Sequence, residues 1–134
     1  MNCSNPRTAR IEPQCTNGPG PRLLHSSVVA DARVLNRGDE TLGTITDILL
    51  DVAIGRIAYA IVASGGFMGM AEQLLIVPWS VLIFDEPRQC FVLQADAVTI
   101  HGALLPAKAQ CPETPDQAWH DLQHARYRAK PYWE

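Results

Sequence analysis

His120 and His124 stand four residues apart in a stretch of helical periodicity, a spacing that sets two imidazoles on one helix face within reach of one metal ion. Cys111 or Asp121 would be the third donor. No second closely spaced ligand pair accompanies them, so the two rings read first as solvated helix histidines and only second as ligands. The cluster Gly65-Gly66-Phe67-Met68-Gly69 invites a phosphate-cradle reading, because glycines let backbone donors approach an anion. It lacks the Lys and Ser or Thr that would follow in such a loop, and reads better as a connection between antiparallel strands that presents Phe67 and Met68. Cys90 could be a reactive thiolate only beside a cation. Arg88, two residues earlier, would share its side of a regular strand, but an inert, half-buried thiol is the ordinary outcome. Asp47, Asp51, Asp85 and Glu86 fall at strand ends and turns, where carboxylates solvate a rim, and none is paired with a nucleophile. The residues therefore predict no catalysis, no cofactor and no committed metal site.

The elements that would carry these residues can be read from apolar spacing. Ile57 to Val62 and Leu74 to Val77 form a hairpin signature, the second run ending at Pro78, which cannot donate to a ladder. Along the first run Ile57, Tyr59 and Ile61 share one face, and small Ala58 and Ala60 share the other, where something is expected to pack closely. Val81 to Phe84 and Cys90 to Leu93 flank a five-residue loop and make a second hairpin. Gly43 to Leu50 reads as a half-buried strand, with a further strand beginning at Val34. Ser26 or Ser27 is placed to cap a short helical turn that packs Val28 and Val29 inward. Ala95 to Ala103 fits a helical turn or a strand equally well. Five or six short strands with frequent turn signals predict an all-β fold, a small closed or nearly closed antiparallel barrel over residues 23–105.

The flanks differ from this core. Residues 1–22 hold four prolines and almost no large aliphatic side chain, and predict a flexible arm. Residues 106–134 begin as a proline-rich linker and continue as a helix, with Thr114 as cap, Pro115 in its first position, and Ala118, Trp119, Leu122 and Ala125 or Arg126 at helical spacing on one face. Trp119, Tyr127, Tyr132 and Trp133 are too much aromatic surface for an idle tail, so this segment is expected to dock on the barrel or on a second subunit. A formal charge of −3 argues against direct nucleic-acid binding. No apolar run is long enough to span a bilayer, the N-terminus lacks a secretory core, and the four cysteines form no disulfide framework, which together predict a cytoplasmic protein without membrane insertion.

The order Leu42-Gly43, Ile45, Asp47-Ile48, then Gly55-Arg56-Ile57-Ala58-Tyr59-Ala60-Ile61-Val62, then the glycine cluster, then Val77-Pro78-Trp79 and Leu82, resembles the PRC-barrel domain. That small barrel occurs in the cytoplasmic part of the photosynthetic reaction-centre H subunit, in the C-terminal half of a ribosome-maturation factor and in stand-alone bacterial proteins. The tail, with Trp119, His124, Tyr127 and the Pro131-Tyr132-Trp133 ending, is similar to tails on some stand-alone members. The resemblance implies a non-catalytic binding module whose partner is another protein, and a homodimer. Its expected contacts are Phe67, Met68 and the Ala58 and Ala60 face, with Arg56 and Asp51 setting orientation, and Trp119, Tyr132 and Trp133 from the tail. A ribosome-associated factor and an accessory to a photosynthetic or other membrane complex are the alternatives; an enzyme or metal protein comes after both.

Overall fold

The computed structural model describes residues 22–64, 72–106 and 112–134. Within them lie seven strands and three α-helices. In chain order these are α1 (Ser26–Val29), β1 (Arg33–Leu35), β2 (Thr41–Asp51), β3 (Arg56–Ser64), β4 (Gln73–Pro78), β5 (Leu82–Asp85), β6 (Cys90–Leu93), α2 (Ala97–Ala103), β7 (Leu105–Pro106) and α3 (Gln117–Tyr127). The expected flexible arm over residues 1–22 lies outside the described residues except for Arg22.

The strands form one sheet in the order β5-β6-β1-β2-β3-β4-β7. Two features correct the antiparallel barrel expected from sequence. The sheet is open, with β5 and β7 at its two ends, and β1 runs parallel to β6, pairing Val34 with Phe91 and Leu35 with Val92. A parallel neighbour is invisible to hairpin signals, which report only strands joined by a short turn. Both predicted hairpins are present. Ile61 pairs with Ile76 and Ala60 with Val77, and β4 stops at Pro78, after which Trp79–Val81 makes a 3-10 turn. Asp85 pairs with Cys90, so the loop of the second hairpin has four residues rather than five, Glu86 to Gln89, and Gln89 takes a positive φ of 54°.

β2 shows why strict alternation is a poor guide here. Its register against β3 slips between Ile45 and Asp47 and again between Leu49 and Leu50, so apolar and polar positions drift from one face to the other. Gly43 sits where β2 lies tightest against β3: a Cβ built there would meet the Ala63 carbonyl oxygen at 1.9 Å.

One core cluster takes Val34 from β1, Ile45 from β2, Ala60 and Val62 from β3, Leu75 and Val77 from β4, Leu82 from β5 and Phe91 and Leu93 from β6. Val29 of α1, Ile100 and Ala103 of α2 and Tyr127 of α3 close over it. Ala60 is wholly buried in this cluster, and Ala58, 4 % exposed, lies in a second one with Tyr59 and Ile76. The small face of β3 is thus an inner surface of the chain itself, not the partner-facing surface expected from sequence. Trp79 packs half-buried on Phe91, with ring centroids 5.4 Å apart.

The helices correct the sequence reading in detail. In α1 only Val29 is buried, Val28 faces outward, and His25 stands at the cap position without a side-chain bond. The ambiguous segment is α2, capped by Asp96, whose Oδ1 accepts the Thr99 N–H at 2.8 Å. In α3 the cap is Asp116 rather than Thr114, its Oδ1 accepting the Trp119 N–H at 2.9 Å. Asp116→Ala is expected to cost about 1 kcal/mol and to raise hydrogen exchange at Ala118 and Trp119 before it affects the sheet, which exchange mass spectrometry would read.

Candidate functional site

The densest side-chain constellation in the described residues is built where α3 and the C-terminal residues return to the outer face of β3. Tyr59, 2 % exposed, is its centre. Its ring has Trp119 edge-on at 5.3 Å, His120 stacked at 5.8 Å, His124 at 5.5 Å and Tyr132 edge-on at 5.8 Å between centroids. Trp133 adds a further ring against His120, His124 and Tyr132. Edge-to-face and offset contacts of this kind contribute about 0.5–1.5 kcal/mol each beyond area burial.

Hydrogen bonds fix the same residues. The Tyr59 hydroxyl and His120 Nδ1 share a bond of 2.7 Å. His124 Nδ1 lies 2.7 Å from the His120 carbonyl oxygen, which can only accept, so that nitrogen carries the proton. The opposite nitrogen, Nε2, accepts the Tyr132 N–H at 3.3 Å. Both ring nitrogens are therefore assigned, and the imidazole is the neutral Nδ1–H tautomer. His124 is 3 % exposed, not solvated as its spacing suggested, and a metal would have to displace one of these bonds. Among the described residues no three His, Cys, Asp or Glu side chains converge on a point, and Cys111 lies outside them.

The β2–β3 turn grips the tail from its other side. Asp51 Oδ1 accepts the Ala53 and Ile54 N–H groups at 3.1 and 3.4 Å, and Gly55 follows with a φ of 67°. The second carboxylate oxygen accepts the Tyr132 hydroxyl at 2.6 Å. At the far side of the turn Arg56 donates to the Tyr132 carbonyl at 2.6 Å and to the Glu134 carbonyl at 3.2 Å. Asp51 and Arg56, expected to orient an outside partner, instead clasp the chain's own C-terminal residues. Within the single chain the tail docks on its own β3 and β2–β3 turn.

A family model described as the PRC-barrel domain matches residues 26–101, more than half of the chain. The chain belongs to the PRC-barrel family. No curated protein matches it. The match ends before α3, so the clasped tail lies outside the matched residues. Phe67 and Met68 lie outside the described residues. Cys90 of this PRC-barrel chain is fully buried, while Arg88 turns away to Asp85 at 2.7 Å and Asp39 at 3.1 Å. Sequence reasoning missed Tyr59 as the centre of the tail site; its signal was a single large aromatic on the outer face of an otherwise aliphatic strand.

Titration of the clasp follows from its bonds. The hydrogen bond from Tyr132 holds the Asp51 carboxyl below the ordinary carboxylate value. Burial, with the Asp51 carboxylate beside it, pushes the Tyr132 phenol up to about 12, and burial alone pushes Tyr127 to about 12. A carboxyl whose folded pKa is lowered stabilises above its unfolded value and loses that contribution as pH falls through the folded one. A phenol whose folded pKa is raised stabilises fully below the ordinary 10 and loses the contribution as pH rises toward 12. Stability is thus expected to fall between pH 10 and about 12, by about 2–3 kcal/mol from Tyr127 with a further loss from Tyr132. Urea midpoints across that window, followed with phenolate absorbance, check it, and Tyr127→Phe should remove the Tyr127 step.

Proposed function

We propose that this chain is a non-catalytic protein-interaction module that self-associates through the tip of its β2–β3 hairpin. Membership of the PRC-barrel family supports an interaction module in general terms. The observation that carries the specific reading is the exposure of Leu50 at 62 %, Val52 at 86 % and Ile54 at 49 % within five residues. Large aliphatic side chains exposed together mark a contact surface, whereas single ones do not. Their turn is held in one shape by the Asp51 carboxylate, so presenting them to a partner loses little further entropy. The clasp brings Trp133, 37 % exposed, to the same end of the molecule. Hairpin tip against hairpin tip would make a two-fold contact in which each copy offers the same patch.

Analytical ultracentrifugation of the full chain tests the proposal. The wild type is expected to dimerise with rising concentration, and the double variant Val52→Asp, Ile54→Asp to remain monomeric with an unchanged Tm. A wild type that stays monomeric throughout, or a double variant that dimerises equally well, overturns it.

A further inference from the structure

Independently of the hairpin tip, a cavity of about 350 Å³ lies where the β1–β2 turn, the segment joining β6 to α2 and the end of α3 meet. Its wall carries Arg37, Arg126 and Arg128 against a single carboxylate, Asp96. This is a local excess of positive charge on a chain whose formal charge is −3. Among the described residues none of the three guanidiniums takes part in an ion pair, and Arg126 reaches only the Gln123 side-chain oxygen at 3.4 Å. Asp96 is committed to capping α2 through the Thr99 N–H. That bond first, and the charges of Arg128 and Arg37 after it, keep its carboxyl below the ordinary value.

One further feature lies in the wall of this cavity. Tyr127, 6 % exposed, forms part of the wall, and its hydroxyl is a buried polar atom with no hydrogen-bond partner. Leaving such a donor unpaired costs about 1–3 kcal/mol, a cost that an anionic oxygen would remove.

We propose that this cavity binds a small phosphate-bearing anion, Arg37, Arg126 and Arg128 gripping its oxygens and the Tyr127 hydroxyl donating to one of them. Three guanidiniums offer more forked donors and more charge than the two oxygens of one carboxylate can use, whereas a phosphate group or a pyrophosphate matches both. The volume suits a compact ligand, near the lower end of the ~300–1,000 Å³ typical of small-molecule sites.

The test is calorimetric titration of the full chain with pyrophosphate, inorganic phosphate and citrate at an ionic strength fixed with sodium chloride. Saturable binding of pyrophosphate at one site is expected, with citrate weaker. The double variant Arg37→Gln, Arg128→Gln should bind at least tenfold more weakly at unchanged Tm, both side chains being exposed. Tyr127→Phe should weaken binding several-fold while raising the Tm of the unliganded chain. No heat beyond the chloride control, or equal affinity in the double arginine variant, overturns the site; citrate binding as tightly as pyrophosphate overturns its assignment to phosphate.

Discussion

Gly43→Ala is expected to lower stability by more than about 3 kcal/mol, enough to depress the Tm by about 10 °C or to prevent recovery of folded protein. The reason is space and not backbone conformation. A methyl group at position 43 would lie 1.9 Å from the Ala63 carbonyl oxygen and 2.8 Å from its carbon, and both belong to the backbone of β3, which cannot swing aside as a side chain can. Relief would require β2 and β3 to part where Thr44 pairs with Ala63, in the middle of the sheet. Gly102→Ala is the matched control: nothing lies within 4 Å of its added Cβ, and the residue sits inside α2, so this exchange should gain up to about 1 kcal/mol. Thermal denaturation of the two variants followed by circular dichroism should shift in opposite directions. A Gly43→Ala protein melting within a degree or two of the wild type would show that the two strands are not so closely apposed.

Tyr59→Ala is expected to cost about 3–5 kcal/mol and to free the C-terminal tail. Four rings lose their common neighbour at once, and the hydroxyl bond to His120 goes with them. Tyr59→Phe separates the two contributions, since it keeps the ring contacts and removes the hydroxyl, at about 1 kcal/mol. Trypsin gives the decisive readout. Arg126, Arg128 and Lys130 lie in or beside the docked segment, so cleavage there should accelerate far more in Tyr59→Ala than global destabilisation alone explains. Equal cleavage rates in the two variants would mean that the tail is held by Asp51 and Arg56 without the aromatic cluster.

The sequence made parts of this molecule legible because local spacing determined them. The β3–β4 hairpin follows from two apolar runs and Pro78, and the β5–β6 hairpin from turn residues between apolar fours. The inner face of α3 was not legible. Hydrophobicity placed Leu122 inward, yet it is 51 % exposed, while Gln123 and His124 are buried. Burial of the His124 ring is tolerable because both of its nitrogens are bonded, to the His120 carbonyl one turn earlier and to the Tyr132 amide of a segment that folds back, while the Gln123 side-chain oxygen accepts from Arg126. A single-sequence pattern cannot see a partner supplied by a returning tail. The same limit hid the roles of Asp51 and Arg56, which read as rim charges because the tail that they hold is distant in sequence. It also hid the arginine-lined cavity, whose members come from three separated stretches of chain.

The parallel pairing of β1 with β6 carries a kinetic consequence. Val34 and Phe91 become neighbours only after the chain between them has gone out through the β1–β4 meander and come back through the β5–β6 hairpin, so the entropy of closing that long loop is lost before any ladder bond between them repays it. Folding should therefore be limited by the arrival of the β5–β6 unit at an already assembled β1–β4 meander. Until it arrives, one edge of β1 stands unpaired in water, open to the same edge of another nascent chain.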